Sequence, residues 1–378
     1  MSIYALKKQL LASGRSKSIS NIRENNTIIY RLMRNEGPFE MKYRVLGRTG
    51  FKVSELGLGG HEYARFLNPY HFPERKAEKP VGHDELVKTQ SPRTKIIECA
   101  INAGVNYFDT GLIEECQSLG YSLKTLGRRN EVHIAAEVIT PVARLSTVPR
   151  ARWRDTILEA IDERLNVLGT DRIDVFNVHG VSEGYSRERF EFVIEVLKEI
   201  RSQGKIRAIG TADHRLSFIG ELIRRFDCFD SIMIPYNFHR QEAKTLFPLC
   251  KALDVGIIVM KPFCWPYYGL SFTNFCPEGY ETRGFSPAQT ALRWILKSPE
   301  VSTIVPGTNT MTELEENVGA VSKEGEVDDS VLKKSLEIAK SSEGIKKLKA
   351  LNKKDDVART RAYIRGYAKM ALEGWTDY

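Results

Sequence analysis

The feature that most constrains this chain is an alternation of two patterns that begins at residue 55 and does not break. Short apolar runs recur at ELGLGG (55–60), NYFD (106–109), VHIAAEV (132–138), DVFNVHG (174–180), IRAIG (206–210), SIMIPYN (231–237), GIIVMKPF (256–263) and STIVPG (302–307). They are nearly continuous in apolar residues, as parallel strands buried on both faces must be. Amphipathic helical stretches lie between them. TILEAIDERLNVLG (156–169) sets Ile157, Ala160, Ile161, Leu165 and Leu168 on one stripe. ERFEFVIEVLKEIRSQGK (188–205) does likewise and reaches Gly204, where a C-terminal cap is expected. Eight strand–helix units in succession predict an α/β chain closed into a (β/α)8 TIM barrel. A doubly wound sheet is the alternative, but eight units without a domain break favour closure.

Three segments depart from a minimal barrel. Residues 1–40 precede KYRVLGRTGFKV (42–53), which alternates like a hairpin around Arg48-Thr49-Gly50. Residues 61–91 form a long polar and aromatic insertion after the first strand, and in a barrel such a loop lies over the mouth. Residues 325–378 read as a charged, two-helix tail packed outside the barrel. The expected organisation is an N-terminal extension (1–40), a barrel (41–324) and a helical C-terminal extension (325–378).

Composition narrows the function classes. No apolar run among the 378 residues approaches the ~20 needed to span a bilayer. The formal charge of +8 suits anionic ligands in general, but Lys and Arg are scattered among Glu and Asp, so no nucleic-acid face is readable. The six cysteines show no CxxC, and Cys99 and Cys250 sit in helical patterns as small core residues. A reducing, cytoplasmic compartment is expected. The first 23 residues carry Lys7, Lys8, Arg15, Lys17 and Arg23 without an acid. A transit peptide has that composition, and an ordered N-terminal extension is the reading preferred here.

Four motifs then appear in order. YRVLGRTGFKVSELGLGG is followed by LGTDRIDVFNVH, by GKIRAIGTADHR and by IVPGTNTMTELEEN. Together they resemble the hairpin plug and first strand, and the fourth, fifth and eighth units, of the aldo-keto reductases, over roughly 42–320. The resemblance implies a small-molecule oxidoreductase with an extended nicotinamide cofactor, its adenine phosphate near the eighth strand and helix. On that alignment Gly307 and Thr308 offer a phosphate backbone N–H groups and a hydroxyl, and Glu316 and Asn317 match the pair that holds adenine. Positions that are Arg or Lys in NADPH-preferring relatives become Gly307 or Asn309 and, separately, Glu313. A carboxylate near the ribose repels a 2′-phosphate, so NAD is expected over NADP. At the nicotinamide end the family's Ser-Asn pair becomes Ala212-Asp213, and its glutamine becomes Met233. Met260 stands where many relatives stack an aromatic ring, and Lys261 follows it on the cofactor side.

The proton chemistry departs from the family. Its second strand ends in Phe-Asp-Thr, here Phe108-Asp109-Thr110, and a tyrosine follows; five on from Asp109 stands Glu114. Its next strand ends in a lysine, and here Glu137 stands there. The family's histidine survives as His179. Asp109, Glu114, Glu137 and His179 are the candidate catalytic set. Three close carboxylates cannot all stay ionised cheaply, so three outcomes are open. One carboxyl could act as general acid or base, the set could ligate a divalent metal, or a cation could intervene from Lys261, Arg65, Arg75 or Lys76. The stretch after Asp109 is about two residues shorter than usual. Glu115 could therefore take the place of Glu114, and Tyr63 could reach in.

Trp265, Tyr267 and Tyr268 offer rings that could stack on a sugar, and His214 and Arg215 lie at the rim. The leading expectation is an NAD-dependent oxidoreductase with a carboxylate acid/base group acting on a carbohydrate-like hydroxyl or ketone, with elimination or epimerisation as a possible sequel. Its rivals are a catalytically silent nucleotide-binding barrel and a metal-dependent lyase without net redox.

Overall fold

In the computed structural model the described residues are 41–60, 80–139, 145, 147–179, 187–238, 240–263, 277, 284–322, 325–344 and 346. The chain enters through an antiparallel hairpin, β1 (Tyr43–Val45) and β2 (Lys52–Ser54), with Tyr43 opposite Ser54 and Val45 opposite Lys52. Its turn is a single 3-10 turn, Gly47–Thr49, ended by Gly50 at φ +70°, a left-handed conformation that glycine adopts without a Cβ clash.

Seven parallel strands follow in spatial order β3 to β9: Tyr107–Thr110, His133–Ile139, Ile173–His179, Ile206–Ala212, Ser231–Pro235, Gly256–Met260 and Val301–Val305. Residues 55–59 close the ring as the eighth. The amide of Gly57 donates to the Ile304 carbonyl (2.8 Å) and that of Leu58 to Tyr107 (3.0 Å), while the Asp109 amide donates back to Leu58 (2.9 Å). This strand is slight because its inward positions are glycine: a Cβ on Gly57 would stand 2.8 Å from the Tyr107 carbonyl oxygen. The (β/α)8 barrel expected from the alternation is the fold observed.

Ten helices are bounded among the described residues. They are α1 (His83–Thr89), α2 (Ser91–Asn102), α3 (Ile113–Leu126), α4 (Trp153–Leu168), α5 (Arg187–Ser202), α6 (Leu216–Arg225), α7 (Phe247–Ala252), α8 (Pro287–Leu296), α9 (Met311–Ser322) and α10 (Asp329–Lys340). The expectation of an irregular insertion over 61–91 needs correction at its end. His83–Thr89 is helical, and α2 starts at Ser91 with Pro92 in its first turn, where a missing N–H costs nothing. Val331 and Leu332 of α10, with Val327, pack on Phe238 and Ala291, outside the ring of strands. None of the described helices is long and apolar enough to cross a membrane.

The strands bury both faces. Outward residues such as Phe108, Ile134, Phe176 and Ile232 meet the helices in one large cluster. Inward residues form a second: Tyr107, Ala135, Val175, Ala208, Met233, Ile258 and Val305, with Leu46, Phe51 and Val53 of the hairpin. The hairpin thus plugs the N-terminal end of the barrel. Arg44 fixes it there by donating to the carbonyls of Leu296, Ser298 and Val301 at 2.7–2.8 Å. With that end closed, the mouth at the C-terminal strand ends is left for ligands.

Candidate functional site

Strand β3 turns into α3 through Thr110, Gly111 and Leu112, and two acids stand in the first turn of the helix. The fully buried Glu115 reaches back and accepts from the amides of Gly111 (2.7 Å) and Leu112 (3.0 Å) through Oε2. It is a helix-capping residue, positioned to satisfy N–H groups that no helical carbonyl can reach. Glu114, its neighbour, is half-buried, and its Oε2 is a buried atom without a hydrogen-bonding partner among the described residues. Glu115, the alternative to Glu114 that the short stretch after Asp109 left open, gives its Oε2 to these two capping bonds.

Glu137, near the end of β4, is 7% exposed. Its carboxylate lies against the β3–α3 turn: a Cβ built on Gly111 would be 2.6 Å from its Oε1. Glycine at 111 is what lets the carboxylate in. The ends of β3 and β4 thus bring Glu137 and Glu115 to the same turn residue, with Glu114 three residues further on. Asp109 is half-buried, and its amide belongs to the strand ladder. His179 ends β5, paired with Ile139 and Ala212; its side chain, and all of Tyr63, Arg65, Arg75, Lys76, Trp265, Tyr267 and Tyr268, lie outside the described residues. Among the described residues no group of three or more His, Cys, Asp or Glu side chains is arranged to hold a metal ion, so the ligating arrangement held open from sequence is not found there.

The other side of the mouth is built by β9 and α9. Thr308 is 1% exposed and is held from both sides: its carbonyl accepts from Arg93 Nη1 (2.6 Å) and its hydroxyl from Asn317 Nδ2 (3.1 Å). Gly307 and Asn309 flank it, half-buried, and Asn309 Oδ1 is a buried atom with no partner among the described residues. Glu313 Oε2 accepts from the Asn309 amide (2.5 Å), which sets a carboxylate on this loop. The Glu316 carbonyl accepts from Gln289 Nε2 (3.1 Å). A 12-residue helix opening at such a loop presents the positive end of its dipole. With the Thr308 hydroxyl and the orphaned Asn309 oxygen, the loop fits the phosphate and ribose of a nucleotide.

The nicotinamide side is altered more than the sequence showed. Asp213 is 5% exposed and is engaged by Arg215: Oδ1 accepts from the Arg215 amide (2.8 Å) and Nε (3.0 Å), and Oδ2 from Nη2 (2.8 Å). That pairing holds the Arg215 guanidinium above its ordinary range, the hydrogen bond to Asp213 outweighing burial. Asp213 therefore anchors an arginine before it can anchor a carboxamide. Met233 and Met260 face the barrel interior. Lys261 is half-buried and carries φ +53°, a left-handed conformation that costs a side-chain-bearing residue and recurs at functional sites.

Two residues of the site escaped the sequence reading. Arg93 is fully buried beneath the Thr308 loop, and Arg164, 1% exposed, donates through Nε to the Glu137 carbonyl (3.3 Å). The signal was present: Arg93 precedes Ile96, Ile97 and Ala100, and Arg164 follows Ile157, Ala160 and Ile161, each at helical spacing on an apolar stripe. A cation there must be paired or hydrogen-bonded inside the protein.

Comparison with known proteins agrees with this geometry. Residues 81–265 and 278–339 match the model of the Aldo/keto reductase family. Among curated proteins, L-galactose dehydrogenase of Arabidopsis thaliana is 25% identical over 310 residues, covering 75% of this chain and 89% of its own. The aldo-keto reductase YhdN of Bacillus subtilis (strain 168) is 23% identical, covering 73% and 87%. Among solved structures, aldo-keto reductase AKR11C1 from Bacillus halodurans in its holo form superposes with a TM-score of 0.58 at 22% identity, covering 80% of this chain and 98% of that one, a likeness of fold. A barrel plugged at one end, with a histidine ending β5, carries the family model over more than half of its length: this chain belongs to the Aldo/keto reductase family, whose members are oxidoreductases that use nicotinamide cofactors.

Proposed function

We propose that this oxidoreductase moves its substrate proton through a carboxyl group instead of a phenol. One observation carries the reading. Just beyond β3 and near the end of β4, on the alignment given above, Glu114 and Glu137 stand where the family has its tyrosine and lysine, with Glu114 Oε2 buried and without a partner among the described residues and the Glu137 carboxylate packed on Gly111. A phenol needs a cation beside it to ionise near neutral pH, whereas a carboxyl group exchanges its proton without one. In the oxidative direction Glu114 or Glu137 takes the substrate hydroxyl proton, and His179 orients the oxygen. Asp109 completes the network around them. The nicotinamide, when bound, supplies the hydride acceptor. Gly307, Thr308, Asn309, Glu316 and Asn317 hold its adenosine end, with Met260 and Lys261 toward the ring.

The cofactor is NAD in this reading. Glu313, fastened to the Asn309 amide, puts negative charge where a 2′-phosphate would sit. The substrate class is a carbohydrate-like hydroxyl or ketone. Its supports are the similarity to a plant L-galactose dehydrogenase and the rings of Trp265 and Tyr267 after β8, with Tyr63 in the loop after the first strand.

Calorimetric titration with NAD and NADP, followed by turnover assays on free hexoses and polyols, tests the whole. NAD is expected to bind more tightly, and Glu137→Gln or Glu114→Gln to lower kcat about 10²- to 10⁴-fold with nucleotide affinity unchanged. If neither nucleotide binds, the oxidoreductase reading fails; if both glutamine variants keep full kcat, the carboxylate does not carry the proton. One finding favours a second reading, a barrel that binds nucleotide without turning over. Arg215 already engages Asp213, and Met233 replaces a polar anchor, so the nicotinamide ring is held by less. Tight NAD binding with no turnover on any sugar or polyol would decide for it.

A further inference from the structure

Barrel interiors are ordinarily filled by branched apolar side chains in layers of four, each layer drawn from alternate strands. Below the mouth this barrel is filled differently. Ala135 of β4 and Ala208 of β6 face the axis and are small, and Gly210, two residues on from Ala208, has no side chain. Polar side chains occupy the alternate strands instead: Tyr107 of β3, Asn177 of β5, Ser231 of β7 and Thr303 of β9. Asn177, Ser231 and Thr303 each stand two residues from an inward apolar residue of the same strand (Val175, Met233 and Val305), so they share the inward face. All four are fully buried.

None of their polar ends finds a partner among the described residues. Tyr107 Oη, Asn177 Oδ1 and Nδ2, Ser231 Oγ and Thr303 Oγ1 are all buried atoms without a hydrogen bond. All four share the inward face, and two of them meet: a Cβ on Gly210 would be 2.1 Å from Asn177 Oδ1 and 2.9 Å from Ser231 Oγ. Several donors and acceptors without partners at one place in a core are far from the native norm, in which such groups bond to protein or to ordered water. Internal water settles where a site is both polar and not filled by apolar groups, and it makes about three hydrogen bonds there.

We propose that the barrel axis beneath Asp109 is a binding site for ordered water, held by Tyr107 Oη, the Asn177 amide, Ser231 Oγ and Thr303 Oγ1. Each group donates to or accepts from water in place of protein, and the missing side chain of Gly210 makes room for the Asn177 amide beside Ser231. Asp109 follows Tyr107 by two residues on the same face of β3, so the cluster is the hydrogen-bonding floor of the mouth. The proposal is independent of which carboxyl group moves the substrate proton.

Water oxygen-17 relaxation dispersion on the full-length protein, compared with Asn177→Leu and Thr303→Val, tests it directly. Long-lived internal waters are expected in the parent and fewer in each variant; an equal number in all three overturns the proposal. Thermal unfolding supplies a second measurement that does not depend on a disruptive change. Thr303→Val and Tyr107→Phe are nearly isosteric, and each is expected to lower Tm by about 2 °C, because bound water loses a partner. An unchanged or raised Tm in both would mean that the hydroxyls had been buried dry, and the site would not exist.

Discussion

Two adjacent glutamates in the first turn of α3 illustrate how little a residue's identity says about its work. Glu115 is fully buried and caps α3 through two amides, whereas Glu114 turns a carboxylate oxygen with no partner among the described residues into the interior. Glu115→Ala is expected to cost about 1–2 kcal/mol in denaturant unfolding, as the loss of a helix cap does. Glu114→Gln should leave the unfolding midpoint within about 0.5 kcal/mol of the parent while lowering kcat, since its Oε2 has no partner to lose among the described residues. The reverse pattern would interchange the two roles. At the far side of the mouth, Glu313→Gln should narrow the preference for NAD over NADP about tenfold in calorimetric Kd values, by removing one charge from beside the ribose.

At the scale of elements, the mouth is held in shape from behind. Arg93 of α2 and Arg164 of α4 are buried on apolar stripes and donate to the carbonyls of Thr308 and Glu137, one at each side of the site. Each guanidinium ties a helix to the loop or strand end that carries functional groups. Arg93→Met keeps the volume and removes the donor. It is expected to cost about 2 kcal/mol of stability and to weaken nucleotide binding about tenfold, because the Thr308 carbonyl is released. If nucleotide affinity stayed at the parental value in titration, Arg93 would be a packing residue alone. The strands and their helices were legible in the sequence because their signals are local. Apolar continuity marks VHIAAEV and DVFNVHG, and the 3.6-residue stripe marks α4. The helical end of the segment over 61–91 was missed because HDELVKT is almost wholly polar, with Leu86 its one buried residue.

For the molecule as a whole, the plugged end of the barrel pairs its buried acid with bases. The plugged end carries Asp174, whose buried carboxylate meets Arg129 (2.9 Å), Arg207 (2.8 Å) and the Ile134 amide (2.9 Å), with the His133 ring nitrogen at 3.9 Å. Burial pushes this carboxyl up, but His133, Arg129, the Ile134 amide and Arg207 together outweigh it and hold it well below the usual carboxylate range. A depressed folded-state pKa means that the contribution is fully present above the unfolded value near ~4 and is lost as pH falls below it. Tm should therefore drop as pH is lowered from about 4, and Asp174→Asn should flatten that acid limb and cost about 3 kcal/mol at neutral pH by leaving the largely buried Arg129 uncompensated. An acid limb unchanged in the variant would place the titration elsewhere.

The sequence by itself determined the fold, its parallel order and the plug hairpin, since each is written in spacing along one stretch of chain. Tertiary structure alone decided which glutamate caps and which faces the interior, that Arg215 engages Asp213, and that two arginines on apolar stripes hold the mouth. It also decided that the interior beneath Asp109 is lined with polar atoms. These facts depend on pairs far apart in the chain, such as Arg93 and Thr308, 215 positions apart. A buried charge or amide is placed by whichever partner the closed barrel brings within about 3 Å, and no local pattern encodes that partner.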